Sequence, residues 1–230
     1  MFKEYKIGAV IVAAGSGLRF GEMKQIKDLG TKPLYLYSIQ SFIDCDFIDE
    51  IVLVVPNDLL KIISNQISKI SRQIKIVKGG KLRQDSVLAG IEGLSTDCNL
   101  ICVHDAARPF VKTDLIESTI IACEKNDGAV AAMPSYDTIK EVNASNNRIT
   151  KTIARENIWL AQTPQAFHIK QLMRALLRAS DNNIKVTDEA TLLESLNYSI
   201  VVVEGNSTNL KITTQNDWKL AELILERDNG

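Results

Sequence analysis

The chain predicts an α/β fold built on a doubly wound, mostly parallel sheet that carries an inserted β-hairpin arm. Three observations lead there. Short β-branched runs recur as continuous apolar segments, as in strands covered on both faces. Longer stretches with apolar positions at helical spacing separate them. One interval, at about 136–160, replaces that rhythm with two short alternating segments around a polar turn.

Taken in order, Ile7 to Ala13 is the first strand candidate. Pro33 stands before Leu34 to Phe42, placed as a proline at a first helical turn. Glu50 to Val55 is the next strand. Asn57 or Asp58 is placed to cap a helix running through Ile70, with Leu59, Leu60, Ile62, Ile63 and Ile67 on one apolar face. The strand Ile74 to Val77, the helix Gln84 to Leu94, the strand Asn99 to His104, the helix Asp114 to Glu124 and the strand Gly128 to Met133 continue the alternation. The arm follows: Thr138 to Val142 and Arg148 to Ile153, joined by Asn143-Ala144-Ser145-Asn146-Asn147. A lone hairpin is too small to stand by itself, so it is expected to pack on the body or on another subunit. Asp188 to Leu196 reads as helix, Ser199 to Glu204 as strand and Asn216 to Arg227 as helix. The βαβα order implies right-handed crossovers, and one domain over 1–230 is expected.

Composition narrows the classes. Charged residues are 24% of the 230 and cancel to a formal net charge of -1. That balance argues against a nucleic-acid backbone or an anionic membrane as main partner. No apolar segment reaches the ~20 residues that span a bilayer, and Met1 to Lys6 has no signal-peptide core. A reducing cytoplasm is the expected location. The cysteines, Cys45, Cys98, Cys102 and Cys123, form no C-x-x-C pair, and the histidines are only His104 and His168, so a zinc site is not expected. Cys102, inside Leu100-Ile101-Cys102-Val103, reads as a small buried hydrophobe.

The strongest local signal is Ala13-Ala14-Gly15-Ser16-Gly17-Leu18-Arg19-Phe20-Gly21, directly after the first strand. Glycines at a strand's carboxyl end let backbone N–H groups approach an anion, where ligands of open α/β sheets bind. The spacing is neither G-x-G-x-x-G, since Phe20 occupies the third glycine position, nor a P-loop. A nicotinamide-dependent oxidoreductase is disfavoured accordingly. Arg19 and Lys24-Gln25 in the same loop suit a triphosphate; the plain alternative is a pair of solvated surface cations. A second cluster, Gly79-Gly80-Lys81-Leu82-Arg83-Gln84-Asp85-Ser86, opens a helix and suits a nucleobase or ribose, or is an ordinary tight turn. A third, His104-Asp105-Ala106-Ala107-Arg108-Pro109, places an acid and a base at a strand end. Asp105 could orient a hydroxyl or a magnesium-bound phosphate; the plain reading is a salt bridge to Arg108. His104 is assigned to structure. Ala161 to Phe167 reads as a proline turn with hydroxyl donors, preceded by Ala154-Arg155-Glu156-Asn157. Val186-Thr187-Asp188-Glu189-Ala190 reads as a helix cap. Lys211, in Asn209-Leu210-Lys211-Ile212-Thr213, sits in an apolar segment and is expected to meet an anion.

In this order, A-A-G-S-G-L-R, K-Q, G-G-K-L-R-Q-D-S, H-D-A-A-R-P-F-V, Q-T-P-Q-A-F, T-D-E-A and N-L-K-I-T, the motifs resemble the 2-C-methyl-D-erythritol 4-phosphate cytidylyltransferases, nucleotidyltransferases of isoprenoid precursor biosynthesis. The resemblance covers nearly the whole chain and implies a Rossmann-like sheet. It implies CTP as co-substrate, magnesium as cofactor, a polyol phosphate as acceptor and a homodimer through the arm. Arg19, Lys24, Lys211 and Arg155 would be catalytic. Ala13, Ala14, Gly15, Gly17, Gly80, Arg83, Ser86, Asp105 and Ala106 would hold the nucleotide. Asp105, Arg108, Thr138, Arg155, Thr163, Thr187 and Lys211 would line the sugar-phosphate side, Thr138 and Arg155 from the partner. The metal ligands are not specified. Met23 stands where the family usually has proline before its Lys-Gln, and Thr208 where aspartate is common. A ribitol 5-phosphate cytidylyltransferase and a non-catalytic nucleotide-binding regulator are the alternatives.

Overall fold

The structure, a computed structural model, describes residues 5–15, 17, 20–68, 70 and 74–228. The strands and helices are β1 (Ile7–Val12), β2 (Asp28–Leu29), β3 (Lys32–Pro33), α1 (Leu34–Ile43), β4 (Glu50–Val55), α2 (Leu60–Ile67), β5 (Ile74–Lys78), α3 (Arg83–Gly93), β6 (Leu100–Asp105), α4 (Thr113–Glu124), β7 (Gly128–Pro134), β8 (Ile139–Val142), β9 (Ile149–Ile153), β10 (Trp159–His168), α5 (Ile169–Asp181), α6 (Glu189–Glu194), β11 (Ile200–Glu204) and α7 (Gln215–Asp228). The main sheet runs β11-β7-β10-β6-β1-β4-β5. All of its pairings are parallel except those of β10, which is antiparallel to β6 and β7.

The strand period of two sorts the apolar residues into two layers. Ile7, Ala9 and Ile11 of β1, with Ile51, Leu53 and Val55 of β4, join Tyr35, Phe42, Ile63 and Ile116 beneath α1, α2 and α4. Val10, Val52, Val54, Ile101 and Val103 face the other way onto Val87, Ile91, Leu172 and Leu193 of α3, α5 and α6. A third, smaller cluster joins Phe20, Leu29, Leu34, Ile212, Trp218 and Ala221. It fastens the loop after β1 onto α7, and the rings of Phe20 and Trp218 pack at a tilt of 54°, 5.4 Å between centroids.

Most predicted elements stand within a residue or two of their expected ends. The main correction is β10: the expected proline turn at Ala161 to Phe167 is a central strand, irregular between Ala161 and Gln165. Proline inside the run spoils a strand signature, and the irregularity accommodates it. Pro33 lies just outside its helix in an extended conformation rather than in the first turn. Asn57 and Asp58 cap nothing: Asn57–Leu59 is a 3-10 turn, the α-helix begins at Leu60, and no side chain caps it. Ile62 is exposed rather than on the apolar face, and the helix ends at Ile67 rather than running through Ile70. The arm is as expected, β8 pairing with β9 as a separate two-stranded sheet, but residues 140–152 are all exposed and do not pack on the body. All four cysteines are buried and unbridged. Among the described residues, no helix is long and apolar enough to cross a membrane.

Candidate active site

A cleft of about 600 Å³ opens at the carboxyl ends of β1, β5 and β6, lined by Ala13, Ala14, Gly15, Gly17, Lys24, Gln25, Gly80, Lys81, Leu82, Arg83, Ser86, Asp105, Ala106, Ala107 and Lys211. Its first wall is the loop after β1. Gly17 holds φ at +67°, and a Cβ there would meet the Glu22 carbonyl oxygen at 2.2 Å, so only glycine fits this fold of the loop. The loop returns as a 3-10 turn, Lys24–Ile26. Gln25, buried, donates its side-chain amide to the Gly15 carbonyl. The Lys24 ammonium donates to the Ile212 carbonyl at 2.6 Å and lies 5.7 Å from the centre of the Phe20 ring. Met23, in proline's usual place, has a φ of -76°, inside the range that a proline ring imposes.

The second wall is the turn between β5 and α3. A Cβ on Gly79 would meet the Ala14 Cβ at 2.3 Å, so the two loops touch through glycine. Ser86 is buried; its hydroxyl accepts the Gly80 N–H at 3.1 Å and donates to the Leu82 carbonyl at 3.1 Å. Asp85 accepts the Leu82 N–H at 3.0 Å. These bonds hold the turn, which leaves its glycine backbone facing the cleft.

The floor is a chain of alternating charges. The Lys211 ammonium lies 2.7 Å from Asp105 Oδ2. The Arg83 Nε–H donates to Asp105 Oδ1 at 3.2 Å, and Arg83 Nη1 donates to the Glu189 carboxylate. Burial alone would raise the Asp105 pKa, but the charges of Arg83 and Lys211 outweigh it and hold the carboxyl well below its usual range. Burial also works against the Arg83 charge, and Asp105 and Glu189 more than restore it. Burial pushes the Glu189 carboxyl up, against the pull of Arg83. The expected Asp105–Arg108 salt bridge is replaced: Arg108 donates to the Asn209 carbonyl at 2.7 Å and supports the segment that delivers Lys211. His104 is structural, as expected. Its ring nitrogens lie 3.2 Å from the Arg108 carbonyl and 3.1 Å from the Thr163 hydroxyl, and burial pushes its pKa down to about 4.

Residues 7–227 match the family model of 2-C-methyl-D-erythritol 4-phosphate cytidylyltransferase. The chain belongs to that family. A family member from Dictyoglomus thermophilum is 38% identical over 225 residues, 96% of this chain and 97% of its own. One from Clostridium botulinum is 40% identical over 226 residues, covering 96% and 98%. The crystal structure of the 4-diphosphocytidyl-2C-methyl-D-erythritol synthase from Anaerococcus prevotii superposes with a TM-score of 0.86 at 32% identity, over 96% of this chain and 99% of that one.

Of the residues that the cytidylyltransferase motifs single out, Ala13, Ala14, Gly15, Gly17, Lys24, Gly80, Arg83, Ser86, Asp105, Ala106 and Lys211 converge on the cleft. Arg19 lies outside the described residues. Thr163 does not line the cleft; its buried hydroxyl accepts the Asp105 N–H at 3.0 Å and so sets the end of β6. Arg108 is buried behind the floor. Thr187 is exposed, next to Asp188, which caps α6 by accepting the Thr191 N–H. Thr138 and Arg155 stand exposed at the arm, outside this subunit's cleft, and Arg155 donates to the Tyr136 carbonyl.

Gln25, which lines the cleft, and Glu189, which lies behind its floor, were not among the expected site residues. Gln25 was visible only as the neighbour of Lys24. Glu189 read as a cap acid, yet it is fully buried against Arg83; an acid following a good N-cap looks the same whether it faces water or a buried cation. For a metal, Asp105 is the one carboxylate among the described cleft residues. One carboxylate plus triphosphate oxygens is a donor set that suits magnesium. Among the described residues the only three-membered ligand group is Glu50, Asp97 and Cys98. It lies at the amino ends of β4 and β6, the end of the sheet away from the cleft, and is filled by the Lys6 ammonium, 2.7 Å from Glu50.

Proposed function

We propose that the chain transfers the cytidylyl group of CTP to 2-C-methyl-D-erythritol 4-phosphate, releasing pyrophosphate, in isoprenoid precursor synthesis. The observation that carries this reading is the meeting of Lys24 and Lys211 across one cleft: Lys24 is anchored on the carbonyl of Ile212, the residue next to Lys211. Two ammonium groups from distant parts of the chain thus line one cleft with Gly15, Gly17 and Gly80.

A phosphate oxygen of the acceptor attacks the α-phosphorus of CTP. The new P–O bond forms as the bond to pyrophosphate breaks, and no covalent enzyme intermediate is needed. Attacker and target are both anions, so the site must align them and offset their repulsion. Charge grows on the phosphoryl oxygens and on pyrophosphate, where fixed cations act most strongly. Lys24, with Arg19, serves the triphosphate; Lys211, set by Asp105, serves the phosphoryl centre. Gly80, Arg83 and Ser86 form the nucleoside side. Magnesium would be held by Asp105 and phosphate oxygens, and when bound supplies further neutralisation of phosphate charge.

The arm completes the acceptor site of a second subunit in a homodimer, bringing Thr138 and Arg155 to it. Its supports are the exposed apolar side chains Tyr136, Ile149 and Leu160, at 69%, 63% and 51% exposure. The buried free thiols and balanced charge suit a cytoplasmic enzyme. Pyrophosphate release is measured with CTP and, separately, 2-C-methyl-D-erythritol 4-phosphate or ribitol 5-phosphate. Turnover with the first is expected; turnover with ribitol 5-phosphate alone overturns the acceptor, and none with either overturns the enzyme. Mixed Arg155→Ala and Lys24→Ala subunits, each inactive alone, should regain activity after exchange; no recovery counts against the shared site.

A further inference from the structure

We propose that Glu189 is a positioning residue for the reaction: by sharing the Arg83 guanidinium with Asp105, it keeps one Asp105 oxygen for Lys211. The proposal rests on the cytidylyl-transfer reading for its kinetic consequence, and on geometry alone for its structural one.

An arginine and a carboxylate left to themselves favour a two-pronged pair, with two parallel N–H donors on the two oxygens. Asp105 and Arg83 do not adopt it. Only Arg83 Nε reaches Asp105, at Oδ1 and 3.2 Å, while Nη1 is turned to Glu189. Asp105 Oδ2 takes the Lys211 ammonium at 2.7 Å. Glu189 is the most enclosed member of the chain, its side chain 1% exposed against 10% for Asp105 and 38% for Lys211. Burial without a partner is costly for a carboxylate, so Glu189 holds Arg83 firmly at the back of the site. Arg83 Nη2 is buried with no hydrogen-bond partner among the described residues, so a donor stands ready to complete the two-pronged pair once Glu189 lets go. Arg83 Nη2 would then compete with Lys211 for Asp105 Oδ2, and Lys211 would be displaced from the contact that aims it. Glu189 touches neither cleft nor substrate and acts through two intervening side chains.

The variant Glu189→Gln keeps the shape and removes the charge. Its crystal structure is expected to have Arg83 paired through two nitrogens with Asp105, and the Lys211 ammonium beyond hydrogen-bond reach; an unchanged Lys211–Asp105 contact overturns the proposal whatever the chain catalyses. In turnover, kcat is expected to fall by about tenfold or more with the KM for CTP changed by less than about threefold, the pattern of a lost transition-state contact. In a Lys211→Ala background the same substitution should cost less than about twofold, because coupled residues are not additive. An equal loss in both backgrounds marks a general structural role and overturns the proposal. Glu189→Asp, which keeps the charge, should retain Lys211 on Asp105 and most of kcat; a loss as large as that of Glu189→Gln refutes the role of charge. If wild-type enzyme releases no pyrophosphate, the functional reading fails, and the crystal structure still decides the positional claim.

Discussion

Replacing Gln25 with methionine should loosen the phosphate loop while barely touching the stability of the fold. Gln25 is 4% exposed. Its amide nitrogen ties the Gly15 carbonyl to the turn that carries Lys24, while its Oε1 is buried with no hydrogen-bond partner among the described residues. Methionine fills a similar volume. Losing the amide donor leaves the Gly15 carbonyl unsatisfied, at a cost of ~1–3 kcal/mol, and losing the unpartnered oxygen returns a penalty of the same kind and size. The two nearly cancel, so the net change is under ~1 kcal/mol, or ~2–4 °C in Tm for a chain of this length. No such cancellation protects the loop. A tie worth ~0.5–1.5 kcal/mol is gone, which predicts CTP binding weaker by about two- to tenfold. Calorimetric titration with CTP and a thermal melt measure both quantities. Unchanged CTP affinity would refute the clamp, and a Tm loss beyond ~8 °C would show Gln25 to be a core strut instead.

Lys24→Ala should lower turnover by ~10²–10³ with the circular dichroism spectrum unchanged, by analogy with the removal of a charge-stabilising donor; wild-type turnover at saturating CTP removes Lys24 from the machinery. Met23→Pro, at a φ of -76°, should stabilise by ~0.4–1 kcal/mol through the unfolded chain and keep activity; a lower melting temperature would mean that the loop rejects the ring. Burial would raise the Glu50 pKa, but hydrogen bonds from Lys6 and Ser95 hold it down to about 2, below its usual 4.5. A depressed carboxylate contributes stability above its unfolded pKa and loses it as pH falls towards its folded one. Glu50→Gln should therefore flatten the fall in melting temperature between about pH 4.5 and 2; parallel curves for variant and wild type would exclude Glu50 from the acid response.

The sheet was legible because its strands are buried on both faces and therefore read as unbroken apolar runs. Leu53 and Val54 point to opposite layers, yet both had to be apolar. β10 was hidden for the converse reason. It begins exposed at Trp159, carries Gln162, Thr163 and Gln165, and contains a proline. Its polar side chains are buried in a hydrogen-bonded network with Asp188, Asn206 and Asn209, and such burial depends on partners far away in the chain. The cleft was legible where backbone dictates composition, at Gly17 and the Gly79-Gly80 turn, and where a lone cation needs an anion, at Lys211. The partners of Asp105 were not. Arg108 is three residues away and Arg83 and Lys211 are remote, and only the fold decides which of them reaches the carboxylate.

The position of β10 also bears on how the chain assembles as it is made. β6 and β7 are consecutive along the main sheet's contribution to the chain, yet β10 lies between them. Until residues Gln165–His168 have been synthesised, the flank of β6 that they cover has no strand to pair with. Lys24 waits longer still, since its anchor, the Ile212 carbonyl, follows it by 188 residues. The glycine-rich loop is thus translated long before this anchor can lock it. A nascent chain halted before Ile212 would carry the glycine loop without the anchor that sets its lysine.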